Sequence, residues 1–308
     1  MNKNTEFTFP ANRKRRKLLE LGVAAGLLGS QVYRPFIANA ASAGVLPLDT
    51  PGLDHLDIVV PDVEASAKFY MGLFNTTLHA QPYRGAFRYF VLLGELNEGR
   101  EVGYMAIGAS NGRGTYIGHF CTTVSNWRRD SDAIFEGIAR ESQQKGLGEF
   151  PGATGFGGIF NDPDGIEIQF LPSPDTLVTA AVPSDLAPHN AGPVTPLGLD
   201  YVALNVSNLD KALDFYRILY GEESSRSGQQ AQYNFPQSDT RLILRESPYV
   251  YGNTPGIASF GIKTLAFPEQ EIRTLLTSLG ATVLPEGENE TALRFTDLDG
   301  ITVELNPI

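Results

Sequence analysis

The feature that most constrains the fold is an internal repeat. Asp54-His55-Leu56-Asp57-Ile58-Val59-Val60, then Asp62 and a segment closing on Phe69-Tyr70, returns 146 residues later. The second copy is Asp200-Tyr201-Val202-Ala203-Leu204-Asn205-Val206, then Asn208 and a segment closing on Phe215-Tyr216. Each copy reads as a strand, an Asx N-cap and an amphipathic helix. The far ends repeat as well: Phe160-Asn161-Asp162-Pro163-Asp164-Gly165 and the apolar run to Phe170 match Phe295-Thr296-Asp297-Leu298-Asp299-Gly300 and the run to Leu305. Asp-x-Asp-Gly between two apolar runs signals a hairpin, with glycine taking the positive φ. Self-similarity at this spacing calls for two copies of one unit.

Within each half the pattern recurs. Tyr116 to Val124 reads as a strand and Asp130 to Lys145 as a helix with Ile134, Phe135, Ile138 and Ala139 on one face. Ile257 to Leu265 and Pro268 to Leu279 are their counterparts, the latter opening on proline. Pro172 to Pro196 holds six prolines without periodicity, as expected of a linker. The expected domains are therefore residues 51–172 and 198–308, joined by a linker over 173–197.

Residues 1–40 read as an address. Arg15-Arg16-Lys17-Leu18-Leu19 precedes a short apolar run, Leu21 to Leu28, and small residues follow at Ala38-Asn39-Ala40. The run is too short to span a bilayer, so no stable membrane anchor is expected. The paired arginines resemble a twin-arginine export signal, with an ordinary secretory signal as the alternative. The expectation is passage through the twin-arginine machinery to a periplasmic or secreted location. The net charge is −11, and without the first forty residues, which carry seven basic and two acidic side chains, it deepens to −16. So acidic a chain is unsuited to nucleic acid or an anionic membrane surface. A single cysteine excludes an intrachain disulfide framework.

The His-x-x-x-x-Val start at His55, the Phe-Tyr helix ends and the Asp-Pro-Asp-Gly hairpin together resemble the vicinal-oxygen-chelate superfamily of glyoxalases, bleomycin-resistance proteins and extradiol dioxygenases. The resemblance covers residues 51–308. It implies an α+β fold of tandem βαβββ modules, two domains each forming a half-open barrel. It places metal ligands on the first and last strands of the modules, which are His55, His119 and Gln169 in the first domain. The matching set in the second is Tyr201, Ser259 and Glu304, a poor one for a divalent cation, so that domain is expected to be metal-free and supporting. Gln169 stands where the family normally has glutamate. Glu167, two residues earlier on the same strand face, is expected to complete a two-His-one-carboxylate set or to act through a water as general base.

The implied cofactor is a divalent metal, Fe(II) first, with Mn, Zn or Ni as alternatives. Arg84, Arg88, Tyr89 and Tyr104 lie on the meander expected to wall the cup and bind substrate. Cys121 alternates in phase with His119 and is expected as a small buried thiol. The implied activity is a metal-dependent reaction on a small molecule with adjacent oxygens, foremost ring cleavage of the extradiol type. A glyoxalase-like isomerase or lyase, and a metal-free sequestering protein, are the alternatives. Either a monomer or a homodimer fits.

Overall fold

The computed structural model describes residues 44–83, 86–94, 103–150, 152, 158–172, 182–183, 186, 192–247, 255–285 and 292–308. The stretch expected to be an export signal (residues 1–40), Arg84 and most of the linker lie outside the described residues.

The first half runs β1 (Gly52–Val60), α1 (Val63–Leu73), β2 (Leu78–Tyr83), β3 (Ala86–Leu92), β4 (Tyr104–Ala109), β5 (Tyr116–Val124), α2 (Trp127–Gln144), β6 (Ile159–Asn161) and β7 (Glu167–Pro172). Asp62 caps α1 by accepting from the backbone N–H groups of Glu64 and Ala65, as its position before the amphipathic run requires. Helix α2 starts three residues earlier than the sequence pattern indicates. Trp127 packs edge-on against Phe135 and Phe170, and this aromatic anchor extends the first turn. A two-residue strand, β8 (Val182–Pro183), pairs with β2 at the sheet edge. The linker is therefore not uniformly irregular: the open edge of β2 supplies unpaired backbone groups that a passing segment satisfies.

The second half repeats the order as β9 (Pro196–Val206), α3 (Leu209–Tyr220), β10 (Ser225–Ser227), β11 (Gln230–Phe235), β12 (Thr240–Glu246), β13 (Gly256–Thr264), α4 (Glu269–Ser278), β14 (Thr282–Val283), β15 (Leu293–Thr296) and β16 (Thr302–Pro307). The two eight-stranded sheets have orders β6-β7-β5-β1-β4-β3-β2-β8 and β10-β11-β12-β9-β13-β16-β15-β14. In both, the first strand sits centrally, parallel to one neighbour (β4 or β12) and antiparallel to the other (β5 or β13). This is the α+β arrangement of tandem βαβββ modules. Among the described residues, no helix is long and apolar enough to cross a membrane.

The repeated motifs join the halves. Asp162 accepts from the N–H groups of Asp164 and Ile166 at 2.9 and 2.8 Å, closing the hairpin whose Gly165 has φ 85°. It also accepts from the Tyr216 hydroxyl at 3.0 Å. Asp297 does the same with Asp299 and Ile301, both at 2.9 Å, and with the Tyr70 hydroxyl at 2.6 Å. The Phe-Tyr helix end of each half thus reaches the Asp-x-Asp-Gly hairpin of the other. Burial raises both carboxyl groups above their ordinary value, Asp162 to about 6.

Candidate metal site in the cup of the first half

One face of the first sheet packs under the helices, and Leu56, Ile58, Met105, Ile107, Phe120 and Ile168 join the main core there. Strand alternation sends the intervening residues to the opposite, concave face. Register then fixes two rows of neighbours across that cup. His55 on β1 pairs with Tyr104 on β4, and Cys121 on β5 pairs with Gln169 on β7. Asp57 pairs with Ala106 and with His119, which pairs in turn with Glu167.

Each histidine faces a carboxylate of the central strand β1. His55 Nδ1 lies 2.6 Å from Asp54 Oδ1, and His119 Nδ1 lies 3.8 Å from Asp57 Oδ2. Asp57 is itself held by Arg88, whose Nη2 donates to Oδ1 at 2.5 Å. An irregularity in the β1–β5 register between Leu53 and Leu56 lets the adjacent Asp54 and His55 both be buried in one neighbourhood. A carboxylate at Nδ1 fixes the tautomer and turns Nε2 outward, the usual support of a metal-ligating imidazole.

The two Nε2 atoms are the chemically significant ones. His55 Nε2 lies 3.0 Å from Gln169 Oε1, and in the neutral tautomer that gives its Nδ1–H to Asp54 this nitrogen presents a lone pair. Two acceptors face one another there. A cation between them satisfies both, as does rotation of the amide so that its NH2 donates. The Tyr104 ring stacks on His55 at 4.2 Å, with its hydroxyl 3.4 Å from Nε2. His119 meets His55 edge-on at 5.6 Å, and its Nε2 is buried with no hydrogen-bond partner. Burial drives the His119 pKa down to about 4, with help from His55 and Arg88 and against opposing pulls from Asp57 and from the Gln169 side chain. A neutral, buried imidazole with an orphaned nitrogen fits a metal ion.

The residues singled out from sequence separate clearly. His55, His119 and Gln169 are brought together, all buried. Tyr104 joins them in the cup wall, in a cluster with Phe90, Leu92 and Ala106. Arg88 reaches the cup through Asp57, its guanidinium over the rings of Phe90 and Tyr83 at 5.8 and 6.0 Å. Tyr89 does not line the cup. It belongs to the main core, because its neighbours Arg88 and Phe90 take the concave face and strand alternation sends it to the helix side. Glu167 is exposed at the rim, with its carboxyl raised by partial burial. It borders a cleft of about 430 Å³ shared with Asn205, Ile257 and Thr302 of the second half. Asp54 and Asp57 were not anticipated, although their positions beside and two residues after His55 carried the signal.

No curated protein sequence matches this chain. Solved structures do. The Mn(II)-bound glyoxalase from Novosphingobium aromaticivorans is similar at 14% identity and a TM-score of 0.56, over 83% of this chain and 81% of that one. The 2,3-dioxygenase LapB from Pseudomonas sp. KL28 is similar at 15% identity and 0.54, over 82% and 90%. A catechol 2,3-dioxygenase is similar at 14% identity and 0.56, over 84% and 88%. At such identity these likenesses show the fold and not the reaction. Residues 52–170, which build the cup, match the family model of the Glyoxalase/Bleomycin resistance protein/Dioxygenase superfamily.

Proposed function

We propose that the first cup holds a divalent cation through His55, His119 and Gln169 and acts on a small molecule bearing two adjacent oxygens. The observation that carries this reading is the buried Nε2 of His119, without a hydrogen-bond partner, on a ring that meets the His55 ring edge-on, with a carboxylate near each ring. When bound, the cation supplies a Lewis acid that stabilises negative charge on substrate oxygen and, if it is iron, a centre for dioxygen chemistry. Ring cleavage of a catechol-type substrate is the reaction we favour, in keeping with the dioxygenases that share the fold.

The chain's own groups have definable parts. Asp54 and Asp57 orient the imidazoles, and burial keeps His119 neutral. Tyr104 covers one face of His55 and, with Phe90 and Leu92, keeps water from the inner wall. Arg88 keeps positive charge near the mouth, where a substrate anion would approach. Glu167 stands where a base reaches the cup through a water, its basicity increased by partial burial. That same carboxylate favours a second reading, isomerase chemistry in which Glu167 moves a proton on carbon beside the bound oxygens. The Arg15-Arg16 motif supports a periplasmic or secreted location for this activity.

The test is oxygen uptake by protein loaded anaerobically with Fe(II) and then given a catechol. Uptake lost in His119→Ala supports ring cleavage. Bound metal without uptake transfers the case to the isomerase reading, and no bound metal refutes both.

A further inference from the structure

The donor set of the cup is short of charge. An imidazole ligates in its neutral form and Gln169 is an amide, so His55, His119 and Gln169 together bring no anion to a divalent cation. Next to Gln169 in register, on β5, stands Cys121. It is fully buried and in phase with His119. Ligand atoms of Asp54, His55 and Cys121 all lie within 4.8 Å of one another. The Asp54 oxygen is engaged with His55 Nδ1, which leaves it to position that ring.

We propose that Cys121 is a ligand of this site, its thiolate supplying the anionic donor beside the two imidazoles. Gln169 takes the weaker, neutral position. Three things on the molecule point the same way. The His119 Nε2 is more than nine-tenths buried and unpartnered, so the cup contains a nitrogen that needs an electrophile. Cys121 sits between His55 and Gln169 in the row across the cup floor. The second half carries the complementary exchange: the pair in register with Cys121–Gln169 is Gly261–Glu304. Each half therefore keeps one ionisable donor in this pair, on opposite strands.

A His-His-thiolate set with a weak amide oxygen selects borderline and soft cations such as Co, Zn, Ni or Cu over Mn or Mg. Coordination releases the thiol proton to solvent. The inference rests on the reading that the first cup binds a metal, but it fails separately from it.

Co(II) is the probe, added to the full-length, metal-free protein. Thiolate coordination produces an intense near-ultraviolet charge-transfer band in the unmodified protein, a readout that needs no variant. Cys121→Ser and Cys121→Ala are expected to lose the band, to weaken Co(II) binding at least tenfold and to shrink the preference for Co(II) over Mn(II) by a similar factor. Co(II) that binds in a His119-dependent manner, without the band and with unchanged affinity in both variants, overturns the cysteine ligand and leaves the metal cup standing. Failure of the unmodified protein to bind Co(II) overturns both.

Discussion

The two cups are built on one plan and filled differently. The position of His55 in the first is taken by Tyr201 in the second, whose hydroxyl donates to Glu304 in a short hydrogen bond. Where Asp57 and Ala106 stand in the first, Ala203 and Ile243 pack with Tyr201 as an apolar plug. Gly261 is required there, because a Cβ would come within 2.4 Å of the Tyr201 ring. The carboxylate that orients His55 is matched by Asp200, but Arg241 and Asn306 engage it instead. One cup gathers two imidazoles and an amide on its concave face; the other fills the same space with a tyrosine that bonds its own glutamate. The frame is the same in both halves, and a few residue differences decide which of them gathers potential ligands.

The shared frame gives the largest expected effect. Asp162→Ala and Asp297→Ala each remove three hydrogen bonds, two of them to backbone groups in a hairpin. Each should cost about 3–5 kcal/mol at roughly 1–1.5 kcal/mol per bond, read by urea unfolding. Similar costs sharpen the symmetry between halves, and a loss confined to one of them breaks it.

The buried histidine gives the next, and only in the first half. His119 titrates near 4 in the folded protein, against about 6.5 unfolded. The unfolded chain therefore takes up the extra proton between those values, and the His119 contribution to the stability of metal-free protein is lost as pH falls from about 6.5 to 4. His119→Gln should remove up to roughly 3 kcal/mol of that loss. Asp162, whose raised pKa acts in the opposite sense, is common to both proteins and cancels in the difference. An unchanged pH profile would mean that the imidazole is not desolvated as described.

Smaller effects concern the ligand strand. Gln169→Glu should tighten cation binding about tenfold, near 1.4 kcal/mol, by adding a charge. Glu167→Gln should lower turnover while metal content stays the same. If Glu167→Gln strips the metal instead, the rim carboxylate is a ligand and the roles on β7 are exchanged.

Much of this frame was legible in the sequence because it rests on local, repeated signals. Asp62 and Asn208 cap their helices, and Gly165 and Gly300 take positive φ in the hairpins. Asp162 and Asp164 read as turn residues, and Asp162 closes its hairpin. Contacts across the chain were not legible. Nothing in the motif shows that the Tyr70 and Tyr216 hydroxyls cross to the opposite hairpins. The misplacement of Tyr89 came from treating a whole strand as cup wall, when alternation gives the cup only every second residue. Arg88 is expected from sequence to bind substrate, and its pairing with Asp57 needed the register of three strands.

The central claim is that one cup of the two binds metal. Elemental analysis of protein saturated with a divalent cation and freed of excess tests it most directly, with His119→Ala and the double variant Tyr201→Phe, Ser259→Ala measured alongside. One ion per chain, lost in His119→Ala and retained in the double variant, is the expected result. Two ions per chain, or equal loss from both variants, would contradict it.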